Sequence, residues 1–397
     1  MAGLISVSDA LETILARAQP LGTETVALGD AHGRVLALAA EALVDLPPFA
    51  SSAMDGYAVR AADTPGTFHV TGESSAGRPA TSPLRPGEAI AIATGGVVPT
   101  LADAVVAVED VVASANRVEI GADVTARANI RPQGGDVRAG GEVVPAGTRL
   151  AAAHLGALAA AGVGEVVCGR RPRVRVLTTG TELRSVGEPL ALGEIYESNG
   201  VMLAAAVTPA GASVERLPPV HDEYDAHRVA IAAGLEADVL VTSGGVSVGQ
   251  HDLVRRVESE LGVEEIFWGV AMRPGKPLSF GVRDGTLVFG LPGNPVSSLV
   301  ATMLFVRPAL LALQGCTESG PAWLVGSLAC ALRRVPSRDD LVRARCELEG
   351  ARAVLTPVTG QESHMIVRAA TADSLIHVPR GDGELEAGSP VRYLRLD

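Results

Sequence analysis

Apolar and polar residues repeat in three different ways along this chain, and the changes divide it. Near the start, Ala10, Leu11, Ile14, Leu15 and Ala18 recur at helical spacing behind Ser6-Val7-Ser8-Asp9. A hydroxyl there can accept from a free N–H of the first turn, so the pattern predicts a capped amphipathic helix. Short segments follow, down to Pro47-Pro48. Between 55 and 140 the texture is rich in Val, Thr and Gly. Ala89-Ile90-Ala91-Ile92-Ala93 and Asp103-Ala104-Val105-Val106-Ala107-Val108 read as short strands between turns, and a helix-like stretch follows at 151–161. From 171 the apolar runs become continuous: Val174-Arg175-Val176-Leu177, Asp238-Val239-Leu240-Val241 and Thr286-Leu287-Val288-Phe289, with helical stretches at 201–206 and 227–234 between them. Fully apolar strands alternating with helices predict a parallel α/β sheet covered on both faces. Beyond about 318, alternating strands return at 341–347, 353–357, 374–379 and 391–396, predicting a small β-barrel or sandwich.

Composition narrows this picture. The 397 residues suffice for several cores. Hydrophobic residues make up 47% but aromatics only 3%, so Ala, Val and Leu must fill those cores. The net charge of −12, with no dense basic stripe, argues against nucleic-acid binding. Cys168, Cys316, Cys330 and Cys346 form no CxxC pair and read as small buried hydrophobes in a reducing compartment. No HExxH occurs. The N-terminus shows no basic and apolar signal pattern, and the long uncharged stretches are too short or too broken to span a bilayer, which predicts a soluble cytoplasmic protein.

The candidate chemistry lies where the apolar runs end. Thr178-Thr179-Gly180-Thr181-Glu182, residues 242–249 and residues 291–298 are glycine-rich turns behind three strands of one domain. Any one is ordinary turn chemistry. Three in one parallel sheet meet at its carboxyl edge, where freed N–H groups and hydroxyls can cradle an anion. There is no GxGxxG, and Lys276 is followed by Pro, so the GxxxxGK[ST] loop is not met and a P-loop NTPase is disfavoured. Lys276, in Arg273-Pro274-Gly275-Lys276-Pro277, is the single lysine beside 32 arginines. A position that stays Lys suits a compact point charge on an oxyanion. Glu182, Asp222 and Asp252, with Asp55 and Asp136 further back, read either as loop caps or as the carboxylates that hold a divalent cation beside phosphates. His221 and His251 read as packing or hydrogen-bond partners.

Taken together, these residues resemble the molybdopterin molybdenumtransferases of the MoeA type, related to the C-terminal domain of gephyrin. The match spans nearly the whole chain. It is carried by Ser52-Ala53-Met54-Asp55-Gly56-Tyr57-Ala58-Val59, by Thr242-Ser243-Gly244-Gly245-Val246-Ser247-Val248-Gly249 through Asp252, and by residues 273–277 and 291–298. The resemblance implies an elongated N-terminal domain (1–54 and 138–170), an inserted β-rich domain (55–137), a MogA-like three-layer α/β domain (171–316) and a C-terminal β-barrel (317–397). It implies a homodimer whose active site lies between subunits, and contact with the molybdopterin adenylyltransferase and with molybdoenzyme maturation proteins. The implied reaction takes adenylylated molybdopterin and molybdate to molybdenum cofactor and AMP, with Mg2+.

Carried onto this chain, the resemblance assigns Thr179, Gly180, Ser243, Gly244, Gly245, Ser247, Gly249, Pro292, Gly293, Asn294 and Pro295 to pterin and phosphate binding. It assigns Glu182, Asp222 and Asp252 to metal binding or positioning, and Arg273 with Lys276 as a basic pair. Asp55, Thr94, Arg131 and Asp136 become partner-side cleft residues, and Arg343 and Ser363 molybdate-binding or cleft-closing groups. Thr181, Gly135 and Gly269 depart from the commoner family pattern, each removing a charge. Two other readings compete: a non-catalytic molybdopterin-binding scaffold or carrier, and a molybdopterin adenylyltransferase. A carrier has no need of Asp55, Asp136 and Asp252 together, and the long flanking regions do not fit the adenylyltransferase.

Overall fold

The computed structural model describes residues 4–245 and 253–396. At its centre is a six-stranded sheet in the order Ser213–Arg216, Arg173–Thr178, Val239–Ser243, Thr286–Leu291, Ser279–Arg283, Glu264–Trp268. The first four strands are parallel, as the continuous apolar runs predict. Ser279–Arg283 runs against them and Glu264–Trp268 against it in turn, so the sheet is mixed. Val239–Ser243 is buried at every position, which is why its sequence shows no alternation.

One covering element is the helical run Pro295–Leu313. Pro308 has no N–H to offer the carbonyl of Leu304, and the helix widens to a π turn over Thr302–Val306. This run is long and apolar enough to cross a membrane, but 78% of it is buried, which marks it as a core helix. Its core also takes in the first helix, Val7–Arg17, capped by Ser6 Oγ accepting from Asp9 N at 3.1 Å. Ala10 and Ile14 are fully buried and pack in one cluster with Leu310 and Val174. The helix expected to open the N-terminal domain thus packs with the α/β domain.

The N-terminal domain is built from both sides of the insertion. Thr23–Ala27 pairs antiparallel with Glu165–Gly169, and Val26, Leu36, Val144, Leu158 and Cys168 share its core. Burial pushes the Cys168 thiol pKa up, but of the four cysteines expected to be buried it alone is, and Cys330 is exposed. The inserted domain is a six-stranded sheet with Gly56–Val59 between Ala104–Ala107 and Glu88–Ile92. In the C-terminal domain, Asp339–Glu349, Arg352–Pro357, Leu324–Leu328, Pro390–Arg395 and Ser374–Val378 close into a five-stranded barrel. Met272–Arg273 of the α/β domain adds to that barrel beside Asp339 and Asp340, tying the lysine loop to it.

Candidate active site

Three neighbouring parallel strands bring their turns to one edge, and the turns nest. Thr179 N donates to Ser243 O at 3.0 Å and Gly244 N to Leu291 O at 3.2 Å. Gly244 has φ +101°, and the Cβ it lacks would stand 2.4 Å from the Thr179 carbonyl oxygen. The Cβ missing from Gly293 would lie 3.7 Å from Gly244 Cα. Asn199 pins the second turn to the third, its Nδ2 donating to Ser243 Oγ at 2.9 Å and to Gly293 O at 2.7 Å. Ser243 Oγ in turn donates to Pro292 O at 3.2 Å. The result is a cleft of about 1180 Å3 lined by Thr179, Gly180, Ser243, Gly244 and Gly245, and by Pro292, Gly293, Asn294 and Pro295. Thr179 Oγ1 is buried without a hydrogen-bond partner among the described residues. Such an orphan calls for a ligand or an ordered water.

Glu182 and Asp222 line the same cleft. Thr181 Oγ1 accepts from Asp222 N at 3.2 Å and lies 3.4 Å from Asp222 Oδ2. The residue that departs from the family pattern therefore holds a carboxylate in place. Glu182 folds over Gly180, where an added Cβ would stand 2.7 Å from Oε2. Behind Asp222, fully buried His227 places Nε2 3.9 Å from Asp222 Oδ1, while the neighbouring His221 is exposed. Asp252, Ser247, Gly249 and His251 lie outside the described residues. Among the described residues, no three His, Cys, Asp or Glu side chains gather as a metal cluster. Two carboxylates at an anion cleft still suit Mg2+, which takes one or two carboxylates and completes its shell with water and ligand oxygens.

The lysine loop rides on the third turn. Gly275, at φ +104°, lies beside the first turn of the long helix: an added Cβ would make an ordinary 3.5 Å contact with Ser297 O and stand 2.5 Å from Met272 Cε. Lys276 is exposed and its neighbour Pro277 lines the cleft. Arg273, expected to form a basic pair with Lys276, has a carboxylate partner of its own. Arg273 Nη2 is bonded to Asp340, a carboxylate almost entirely buried in the C-terminal domain. From the same domain Ser363 reaches the third turn, its Oγ accepting from Asn294 Nδ2 at 2.9 Å and its carbonyl from Val296 N at 3.1 Å. Arg343 is 1% exposed and sits behind that segment, donating Nη2 to Gly360 O at 2.7 Å. Its Nε and Nη1 have no partner among the described residues, and burial lowers its pKa from the usual guanidinium value. Arg343 therefore braces the Ser363 segment and does not line the cleft.

The remaining candidates gather elsewhere. Asp55 Oδ1 accepts from Thr94 N at 2.7 Å and from Thr94 Oγ1 at 3.1 Å. Arg131 pairs with Ser51 across Ser51–Ser52, while the Gly95–Gly96 backbone bonds Ser52 from the other side. Asp136 N donates to Leu46 O at 2.9 Å, next to the same segment. All four are on the N-terminal half of the chain, and none lines the cleft at the sheet edge.

Comparison with known proteins meets this geometry. Family models match residues 5–162 as the MoeA N-terminal region (domains I and II), 175–312 as a probable molybdopterin binding domain, and 325–396 as the MoeA C-terminal region (domain IV). The molybdopterin molybdenumtransferase 2 of Mycobacterium tuberculosis is 37% identical over 387 residues, covering 94% of this chain and 95% of that protein. The chain belongs to the MoeA family. Membership makes it a transferase of molybdenum cofactor biosynthesis. The molybdopterin molybdenumtransferase of Haemophilus influenzae is 34% identical over 94% of the chain and 93% of its own length. The crystal structure of the MoeA protein of Pyrococcus horikoshii superposes over 99% of both chains with TM-score 0.81 at 31% identity.

Sequence reasoning missed three residues of this MoeA-family site: Asn199, Tyr196 and Glu197. Asn199 opens the helix Asn199–Val207 and so has the look of a plain cap. Glu197, largely buried at the cleft wall, accepts from Gly200 N at 2.6 Å through Oε1. The only signal was the tight polar string Glu197-Ser198-Asn199-Gly200, which turn chemistry explains equally well.

Proposed function

We propose that the protein inserts molybdenum into adenylylated molybdopterin, consuming molybdate and releasing AMP. The observation that carries this reading is the nesting of three glycine turns at one sheet edge around a buried, unpartnered Thr179 hydroxyl. A phosphoanhydride and molybdate repel one another in a cleft that excludes water, so positive charge and oriented N–H groups must be in place first. Backbone N–H groups of the turns take phosphate oxygens, and exposed Lys276 brings its ammonium to the rim. Arg273, tied to Asp340, holds the lysine loop at that rim.

Glu182 and Asp222, with Asp252, would hold Mg2+, which when bound neutralises phosphate charge. Thr181 keeps Asp222 oriented for that role. Asp55, fixed through one oxygen by Thr94, keeps its other oxygen for an incoming group. Asp55, Thr94, Arg131 and Asp136 lie away from the cleft of their own chain, which supports a homodimer in which they complete the partner's cleft. Ser363 meets molybdate, and Arg343 adds charge from the layer below.

The test is AMP release by the purified protein given adenylylated molybdopterin, molybdate and Mg2+. AMP and molybdenum-loaded pterin in equal amounts support the proposal. Tight binding of the adenylylated pterin with no AMP release would leave a carrier and overturn it.

A further inference from the structure

The cleft is far larger than its phosphate-binding turns require. At about 1180 Å3 it exceeds the roughly 300–1,000 Å3 usual for small-molecule sites, and one wall presents large apolar and aromatic side chains among its carboxylates. That wall is a flap in which Leu183–Arg184 pairs in parallel with Ile195–Tyr196. Ile195 is 53% and Tyr196 43% exposed, and both line the cleft with Leu183. Large side chains on a two-residue pairing usually find cover, so an aromatic left open beside an anion site has something to meet.

The flap is held rigidly. Ile195 N donates to Glu182 O at 2.9 Å and Glu197 N to Arg184 O at 2.8 Å. Arg184 Nη2 bonds Glu194 Oε1 at 2.6 Å. The Ala191 N–H, with the Arg184 guanidinium, holds the Glu194 carboxyl below its usual pKa, so the pair stays charged. Tyr196 Oη donates to Glu188 O at 2.9 Å, which anchors the tip of the side chain to the flap. A phenol with its hydroxyl satisfied and its ring open to a cleft is a stacking surface for another flat ring. Leu190 and Leu192, also exposed on the flap, do not line the cleft, so the cleft-facing side has its own task.

We infer that Tyr196 is the stacking platform for a fused heteroaromatic ring of the ligand whose phosphates the glycine turns hold. This rests on the proposed function and deepens it. Adenine and pterin share that chemistry, and the experiment separates them. Calorimetric binding of AMP, of a dithiolene-free pterin such as neopterin, and of inorganic pyrophosphate is measured for the full-length protein, Tyr196→Ala and Tyr196→Phe.

Loss of one base–aromatic stack weakens binding about 5- to 100-fold, and that loss is expected for AMP or for the pterin with Tyr196→Ala. Tyr196→Phe, which keeps the ring, should retain most of the affinity, and pyrophosphate should bind all three proteins alike. Loss confined to AMP assigns adenine to the ring, and loss confined to the pterin assigns the pterin. Unchanged binding of both to Tyr196→Ala overturns the inference, as does a variant that only loses self-association. A wild-type protein that does not bind even pyrophosphate would instead sink the proposed function.

Discussion

Gly244 and Thr179 touch backbone to backbone: a Cβ at residue 244 would stand 2.4 Å from the Thr179 carbonyl oxygen, in a conformation with φ +101°. No side chain fits there without parting two of the three turns. Gly244→Ala should therefore cost about 1–3 kcal/mol of stability for the strained backbone and lose AMP release far out of proportion. Gly293→Ala, whose Cβ would make only an ordinary 3.7 Å contact, should unfold at the wild-type temperature. Thermal unfolding and AMP release on both variants check the contrast.

Asn199 joins two turns through Ser243 Oγ and Gly293 O. Asn199→Ala removes both bonds and leaves two polar groups to find other partners, at about 1–2 kcal/mol. Because the loss falls on turn alignment, KM for the adenylylated pterin should rise about tenfold. Steady-state kinetics decide; an unchanged KM would assign Asn199 to helix capping alone.

The proposed sharing of the cleft between two subunits is open to a complementation test. Asp55→Asn and Asp222→Asn should each fold and each lose AMP release. Mixed and re-associated, they should recover about a quarter of wild-type turnover, because half of the dimers are hybrids with one intact site of two. No recovery, with hybrid dimers demonstrated by mass, would place both residues in one subunit's site.

Lys276 is exposed on its loop and is the single lysine of the chain. Lys276→Arg keeps the charge but replaces a compact ammonium with a planar fork, and turnover should fall about tenfold or more. An amine-reactive label should reach Lys276 in the free protein and be blocked by the adenylylated pterin, as read by peptide mass. Labelling that ignores the ligand would move the loop away from the site.

Asp238 anchors the start of a central strand to the end of the N-terminal domain. It takes Arg170 Nη1 and Nη2 at 3.0 and 2.9 Å and Arg173 N at 2.7 Å. Burial raises its pKa, but the Arg170 guanidinium and the Arg173 N–H outweigh that, so the folded value lies below the unfolded one. The stability it contributes is thus complete above the unfolded value, about 3.9, and is lost as pH falls through the folded value. Asp238→Asn should cost about 3 kcal/mol at neutral pH and flatten acid unfolding below pH ~4. Denaturant midpoints from pH 7 down to 3 test it.

Much of the fold was legible because burial leaves a local record. Ser6 and the 10, 14, 18 spacing gave the first helix, and the continuous runs at 174–177, 238–241 and 286–289 gave three parallel strands. The two antiparallel pairings that end the sheet, through Ser279–Arg283 and Glu264–Trp268, were not legible, since strand direction is set by connection and not by side-chain pattern. The long helix Pro295–Leu313 also escaped notice, because Pro295, Pro308 and an apolar surface all round obscure helical period.

The sequence by itself determined which turns carry glycine and hydroxyl chemistry, that a single lysine sits on a tight loop, and which family this chain belongs to. Those are properties of residue type and short spacing. Only the tertiary structure decided that Arg273 is tied to Asp340, that Arg343 is buried behind Ser363, that Thr181 orients Asp222, and that Tyr196 lines the cleft. It also placed Asp55 against Thr94 in the inserted domain, away from the three turns. Each of these depends on contacts between residues far apart in the chain, where many partners are chemically equivalent and the packing of whole domains chooses among them.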